Sequence, residues 1–342
     1  MENGKETYVS INATTRCDRG CLHCSFESTP IGIDFTAEKA KKVRDLINNS
    51  DLQTIICLTG GGEPLLNHDL SEIVKVLAAS KMVRRINLVT SGFKTHDERK
   101  LLKKTIKMGR EKIMVVISFH IFAKDHLERI TETIRYLLQL KNSYLRAFEV
   151  KTTVALKKKE NTLGVLHRIF NKFDIYSYLV QMWPEERIVD LPRFESKIYS
   201  EKKEEFLFGL AHFFNCTYWQ EDSDRWVIVN IQPLSSIGRA KNLSKNQHHF
   251  EDHCPTMTEP DNFKIKIDAN GNVYPASCCH SKAYPNLAIA TIDDEWQTIY
   301  ARRKRFAEQT LKMLLADKSM YDHPNNICSL CAKIKAELDA RA

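Results

Sequence analysis

The chain has 342 residues, 43% hydrophobic and 27% charged, an ordinary globular composition that suits one large domain and a smaller one. The formal net charge of +8 allows an acidic partner without demanding one, and no basic-aromatic interleaving marks a nucleic-acid surface, so nucleic acid is not the expected partner. No run approaches the roughly 18 apolar residues that cross a bilayer, and the polar N-terminus excludes a signal peptide. Ten cysteines then speak for metal in a reducing, cytoplasmic setting with no membrane partner.

Apolar β-like runs alternate with amphipathic helical ones from the start. A strand at Tyr8–Ala13 leads into Cys17-Asp18-Arg19-Gly20-Cys21-Leu22-His23-Cys24, where three thiols at spacings of four and three can wrap one face of a cubic iron–sulfur cluster. A helix from about Thr36 places Ala40, Val43, Leu46 and Ile47 on one face. The run Thr54–Leu58 reads as a buried strand ending in Thr59-Gly60-Gly61-Gly62-Glu63-Pro64. A helix through Ile73, Val76 and Leu77 precedes a strand at Ile86–Thr90, which ends in Ser91-Gly92.

The alternation continues with a helix at His96–Met108 and a strand at Ile113–Ser118, then a helix through Leu127, Ile130, Ile134 and Leu137. A strand at Ala147–Ala155, a helix at Leu163–Phe170 and a last strand at Ile175–Met182 complete the series. Repeated β/α units imply parallel strands with right-handed crossovers, and near-continuous apolar strands imply cover on both faces. Six units are too few for a closed eightfold barrel. The expected fold is therefore α/β, a partial (β/α)6 TIM-like barrel, with its site at the C-terminal strand ends. The cysteine loop, the Gly-rich turn and Thr90-Ser91-Gly92 all fall there.

From Pro184 to Asn215 the pattern becomes charged helix with no clear strand, and a β-rich piece follows at Trp226–Ile231. The polar stretch Lys241–Asp252 reads as a linker. Phe263–Ile267 and Val273–Tyr274 flank Asp268-Ala269-Asn270-Gly271-Asn272, a hairpin signal because Asn-Gly tolerates positive φ. A long helix at Trp296–Ala316 precedes Cys328-Ser329-Leu330-Cys331. The expected organisation is a barrel over 1–183, a bridge and linker over 184–252, and a cysteine-bearing region over 253–342.

Cys17, Cys21 and Cys24 carry the CxxxCxxC signature, and with them the chain resembles the radical S-adenosylmethionine (radical SAM) enzymes. A zinc site is the alternative, although zinc usually closes with four ligands. The resemblance implies that a 4Fe–4S cluster held by the three thiols leaves one iron open for the amino and carboxylate groups of S-adenosyl-L-methionine. Reductive cleavage then gives a 5′-deoxyadenosyl radical that abstracts hydrogen, the cofactor supplying the radical chemistry. His23 stands where the family usually has an aromatic residue beside the cosubstrate. Gly61, Gly62 and Glu63 match the family's GGE motif, with Glu63 able to accept a hydrogen bond from the cosubstrate ammonium. Ser118, and beside it His120, falls where ribose or carboxylate contacts lie in the family; Thr90 and Ser91 are either ligand contacts or strand-end caps. Cys57 and Cys216 read as buried small hydrophobes.

The terminal CxxC, the hairpin and the cysteines around them resemble the SPASM or shorter twitch extension of the same family. That resemblance implies an auxiliary 4Fe–4S cluster held by Cys254, Cys278, Cys328 and Cys331, with structural zinc as the alternative. Either Cys278 or Cys279 is then spare. The expected spare thiol is Cys279, a hydrogen-atom donor to a substrate radical. Enzymes with such extensions commonly modify ribosomally made peptides by epimerisation, crosslinking or oxidation, with a flavodoxin or ferredoxin as electron donor. A small molecule such as a sugar or aminoglycoside is the other enzymatic expectation. A non-catalytic metal-binding or nucleic-acid-associated protein is the alternative of another class.

Overall fold

The structure, a computed structural model, describes residues 6–21, 24, 26–59, 61–119, 124–140, 145, 147–154, 176–182, 187–189, 214–220, 225–233, 263–275, 287–316, 331 and 334–340. Five strands, β1 (Glu6–Ile11), β2 (Gln53–Leu58), β3 (Val83–Thr90), β4 (Ile113–Phe119) and β5 (Ala147–Val154), pair in parallel in that order. Helices α1 (Ala37–Asn48), α2 (Leu70–Ala78), α3 (His96–Gly109) and α4 (Lys124–Gln139) make the crossovers. Two of them start on threonine caps: Thr36 accepts from Lys39 N at 3.3 Å, and Thr95 accepts from Glu98 N at 3.2 Å.

Period-two alternation decides which face of the sheet meets these helices. Val9 and Ile11, Ile56 and Leu58, Ile86 and Leu88, Val115 and Ile117, and Phe148 and Val150 are buried in one core with Val43, Ile47, Ile73, Leu77, Leu102, Ile106, Ile130 and Ile134 of the helices. The residues between them line the opposite face, where Lys266, Ser10, Cys57, Asn87 and Met114 stand in register across five strands.

The sheet is open, and its far side departs from the sequence reading. The neighbour of β5 is not the 176–182 segment but β9 (Arg225–Pro233), parallel to it over eight registered pairs from Ala147–Trp226 to Val154–Pro233. Strand β8 (Phe214–Gln220) pairs antiparallel with β9, β6 (Tyr176–Met182) antiparallel with β8, and β7 (Arg187–Val189) antiparallel with β6. The stretch expected to hold no strand thus carries β7 and the start of β8. Local apolar pattern fixes that a segment is extended; which strand it pairs with depends on distant partners.

On the other edge, β10 (Lys264–Ile267) pairs in parallel with β1, and β11 (Asn272–Tyr274) and β12 (Ala290–Thr291) follow antiparallel. The expected β10–β11 hairpin is present. Asp268 ties it, accepting from Asn270 N and Asn272 N at 2.9 Å each and from Tyr274 Oη at 3.2 Å. Gly271 has φ +99°, and a Cβ there would meet Ile292 Cδ1 at 2.9 Å. The long helix α5 (Trp296–Ala316) spans the residues expected, and its fully buried Arg303 donates to Pro275 O at 3.1 Å. Among the described residues no helix is long and apolar enough to cross a membrane. The helix expected at 163–170 and the linker at 241–252 lie outside the described residues.

Candidate active site

The C-terminal end of β1 runs through a buried Asn12-Ala13-Thr14 into the cysteine loop. Cys17, Cys21 and Cys24 are all half-buried, Cys24 N donates to Cys21 O at 3.2 Å, and Gly20 supplies the positive φ (+63°) of the turn between the first two thiols. Among the described residues no three His, Cys, Asp or Glu side chains lie close enough to hold a single metal ion. Burial pushes the Cys17 thiol up, Glu63 and Cys24 act in the same direction, and a backbone hydrogen bond from Arg19 opposes them.

The Gly-rich turn after β2 lies directly against this loop. Thr14 bridges to Gly61, and Glu63 N donates to Arg16 O at 2.8 Å. A Cβ at Gly61 (φ +82°) would meet Thr14 O at 2.7 Å, and one at Gly62 would lie 2.0 Å from Arg16 O. The crowding that demands glycine here comes from the cysteine loop's own backbone. The glycines thus bring Glu63 beside the first thiol.

Glu63 is 3% exposed, and its carboxylate knots three segments together. Oε1 accepts from Thr90 Oγ1 at 2.6 Å and from Leu65 N at 3.2 Å; Oε2 accepts from Ser91 N at 2.8 Å and Ser91 Oγ at 2.6 Å. Thr90 and Ser91 therefore serve as ties between the end of β3 and the turn after β2. Ser118 lies near the end of β4, half-buried and in register with Lys151.

Two arginines complete the site, and neither was singled out from the sequence. Arg19, inside the cysteine loop, has a side chain only 1% exposed. It donates to Glu98 Oε2 at 2.8 Å, Gly92 O at 2.9 Å and Ser91 Oγ at 3.1 Å, with Asp18 Oδ1 at 3.0 Å and Glu63 Oε2 at 3.8 Å. Burial alone would lower its pKa, but the surrounding carboxylates, Glu63 foremost, raise it. Arg129 of α4 donates from Nε to Ser91 O at 2.9 Å, while its buried Nη2 has no hydrogen-bond partner. Burial, followed by the charge of Arg19, lowers its pKa, and Glu63 and Cys21 are near enough to oppose that. The only signal available in sequence was position: one arginine between cluster thiols, the other on a helix that follows the fourth strand.

Below this rim, on the face turned from the helices, burial and then the neighbouring Cys57 thiol push the Tyr8 hydroxyl up, while a hydrogen bond with Asn87 pulls the other way. Cys57 is buried, as expected. Lys266 of β10 is fully buried with Nζ 4.1 Å from the Phe26 ring centroid, so the strand beside β1 reaches the segment just after Cys24. Cys331 is buried; His23, His120, Cys254, Cys278, Cys279 and Cys328 lie outside the described residues.

A parallel α/β sheet with a three-thiol loop after its first strand and a Gly-Gly-Glu turn after its second defines one class of protein. Residues 11–161 match the radical SAM superfamily; this stretch is a radical SAM domain and the protein a radical SAM enzyme. The chain is similar to GTP 3′,8-cyclase of Nautilia profundicola, 25% identical over 284 residues that cover 79% of this chain and 80% of that protein. A stretch of 112 residues is 30% identical to the antilisterial bacteriocin subtilosin biosynthesis protein AlbA of Bacillus subtilis, covering 32% of this chain and 23% of that one. Among solved structures, Streptococcus suis SuiB bound to precursor peptide SuiA aligns with a TM-score of 0.52 at 13% identity, over 87% of this chain and 65% of that one. Native anSMEcpe with bound AdoMet and Cp18Cys peptide aligns with a TM-score of 0.51 at 12% identity, over 97% of this chain and 96% of that one. At such identities these likenesses bear on the fold alone.

The family implies a 4Fe–4S cluster and S-adenosyl-L-methionine. The residues present fit both. Three half-buried thiols share one loop, and the buried, unpartnered Nη2 of Arg129 beside Cys21 and Glu63 suits an anionic group of the size of a carboxylate.

Proposed function

We propose that this radical SAM enzyme modifies a ribosomally made peptide. The observation that carries the reading is the convergence of Cys17, Cys21, Cys24, the Gly61–Glu63 turn, Arg19 and Arg129 at one end of one sheet. Cys17, Cys21 and Cys24 would hold the cluster, with His23 beside it. Gly61, Gly62 and Glu63 would receive the amino end of S-adenosyl-L-methionine, Arg129 and Ser118 its carboxylate or ribose. When bound, cluster and cosubstrate supply a 5′-deoxyadenosyl radical for hydrogen abstraction. The protein's own part is positional. Glu63 holds Thr90 and Ser91, Arg19 locks the cysteine loop to the same strand end, and both stay dry.

A peptide substrate is supported by the bacteriocin-biosynthesis relative and by the fold shared with two proteins solved with peptides bound. An auxiliary 4Fe–4S cluster on Cys254, Cys278, Cys328 and Cys331, with Cys279 as hydrogen-atom donor, belongs to this reading, as do a protein electron donor and a cytoplasmic setting. A 1–183 barrel, a 184–252 bridge and a 253–342 cluster region are its proposed division. The longer match, to a GTP cyclase, favours a small-molecule substrate as the second reading.

Anaerobic reconstitution with iron and sulfide, then reductant and S-adenosyl-L-methionine, tests the core of this proposal. The expected product is 5′-deoxyadenosine, lost when any one of Cys17, Cys21 or Cys24 becomes Ala. Iron near eight per chain supports two clusters and about four supports one; bound zinc refutes the auxiliary assignment. Cys279→Ala should keep deoxyadenosine formation and abolish the modified product. A short precursor peptide that is consumed separates the peptide reading from the nucleotide one.

A further inference from the structure

The face of the sheet turned from α1–α4 carries a row whose composition does not suit packing. Lys266, Ser10, Cys57, Asn87 and Met114 stand in register across β10, β1, β2, β3 and β4. A barrel interior that serves packing alone is filled mainly with branched apolar side chains. No branched apolar residue occurs in this row, yet Ser10, Cys57 and Asn87 are buried and Lys266 fully so. Polar groups withdrawn from water in the middle of a sheet are expensive, and a few of them placed together are what fixes the orientation of a ligand in a pocket.

Asn87 is the member of the row with an unmet need. It is 8% exposed, and its Oδ1 has no hydrogen-bond partner, a costly and rare condition for a buried acceptor. The Tyr8 hydroxyl hydrogen bonds with both Cys57 and Asn87. With Oδ1 unpartnered, it is Nδ2 that donates to the phenol oxygen, so the carboxamide is held with its acceptor end turned away from Tyr8. Asn87 also stands three residues before Thr90, whose hydroxyl binds Glu63. It therefore lies about 10 Å along β3 from the strand end that meets the cysteine loop. At the far end of the row Lys266, its Nζ 4.1 Å from the Phe26 ring centroid, brings an ammonium that only donates. The row thus offers an acceptor on β3 and a donor on β10.

We propose that this row is the floor of the substrate cavity and that Asn87 Oδ1 accepts a hydrogen bond from an amide or lactam N–H of the substrate, which makes Asn87 a specificity-determining residue. The proposal rests on a substrate bound at the thiol-loop end of the sheet, as read above. An amide N–H is a peptide's group and a lactam N–H a purine's, so the same acceptor suits either substrate class. A substrate without an N–H at this place leaves the acceptor unmet, and a site built to receive an N–H discriminates strongly against an analogue that lacks it.

The side-chain amide resonance of Asn87 is the reporter, in the full cluster-loaded chain carrying isotope-labelled asparagine. It is identified by its loss in Asn87→Ser and its displacement in Tyr8→Phe. Two pairs of probes differ in the N–H: N-methylacetamide against methyl acetate, its ester of the same shape, and inosine against N1-methylinosine. The N–H member of one pair should shift the resonance saturably, and its partner should need about tenfold more for half the effect. A response to N-methylacetamide assigns the amide of a peptide, one to inosine the lactam of a purine, and either supports the proposal. No response to either N–H probe, or equal responses within each pair, would overturn it. The titration involves no radical step, so its failure and a failure of the peptide assay above are read separately.

Discussion

Replacing Arg19 with Met should unlock the cysteine loop, and the structure sets the scale. The guanidinium is 1% exposed and sits among Glu63, 3% exposed, and Glu98, 8% exposed, so Arg19→Met leaves two buried carboxylates without the guanidinium beside them. Removing one partner of a buried ion pair costs about 3–5 kcal/mol, because the remaining charge stays desolvated. The whole protein is held by roughly 5–15 kcal/mol, so this is a large share. With a urea m-value of about 3 kcal/mol/M, the unfolding midpoint of the cluster-free protein should fall by about 1–1.7 M. Arg19→Lys keeps the charge but not the fork that reaches Glu98, Gly92 O and Ser91 Oγ together, and should recover only part of the loss. Combining Arg19→Met with Glu98→Gln should cost less than the sum of the two. A midpoint shift below about 0.3 M for Arg19→Met, or strict additivity with Glu98→Gln, would refute this account of the loop.

Gly62→Ala would place a Cβ 2.0 Å from the backbone oxygen of Arg16, and backbone cannot swing away; thermal unfolding should show a loss of about 1–3 kcal/mol, with iron uptake impaired. Asp18 carries a pH dependence: burial would raise its pKa, but the hydrogen bond from Lys94 and the charges of Arg19 and Lys94 outweigh this and hold it low. Its contribution is therefore full above the unfolded value of about 4 and is lost as pH falls through the lower folded value, so urea midpoints between pH 6 and 3 should fall less steeply in Asp18→Asn than in wild type. Removing residues 263–342 would strip β10 from the registered pairs Tyr8–Lys264 to Ile11–Ile267 and bare the edge of β1; the truncated protein should aggregate on size-exclusion chromatography, and a monodisperse product would contradict the prediction.

Much of this architecture was legible because it is local. Thr36 and Thr95 announce their helices by capping chemistry, Asn270-Gly271 announces a turn that needs positive φ, and the span of α5 follows from unbroken helical pattern between Trp296 and Ala316. The cysteine loop and the Gly61–Glu63 turn were legible as spacing, and parallel pairing of β1 with β2 explains why two turns some 35 residues apart become neighbours. What escaped is what depends on distant partners. Tyr176–Met182 and Arg225–Pro233 are both extended apolar runs, and nothing local says that the second lies beside β5 and the first beyond it. Arg19 and Arg129 carry no local mark, since the groups that pair with them come from the turn after β2, the residues that follow β3, and α3.

The position of β10 gives the two ends of the chain a common physical problem. A strand that adds to the edge beside β1 removes that edge from solvent, and it also carries its own side chains to the face where Tyr8, Ser10 and Cys57 lie. Lys266 is the consequence. A fully buried ammonium is costly to desolvate, and it is kept where the Phe26 ring, two residues after Cys24, can face it at 4.1 Å. The same hairpin is locked from behind by Arg303, which reaches Pro275 O from α5, and by Lys39 of α1, which donates to Ala269 O at 2.6 Å. The cysteine loop is thus gripped on one side by Arg19 through β3 and α3, and touched on the other by a strand whose anchorage depends on the C-terminal helix. A change in the C-terminal quarter therefore has a direct mechanical path to the three thiols, through β10 and Phe26, without any need for a contact between the two sets of cysteines.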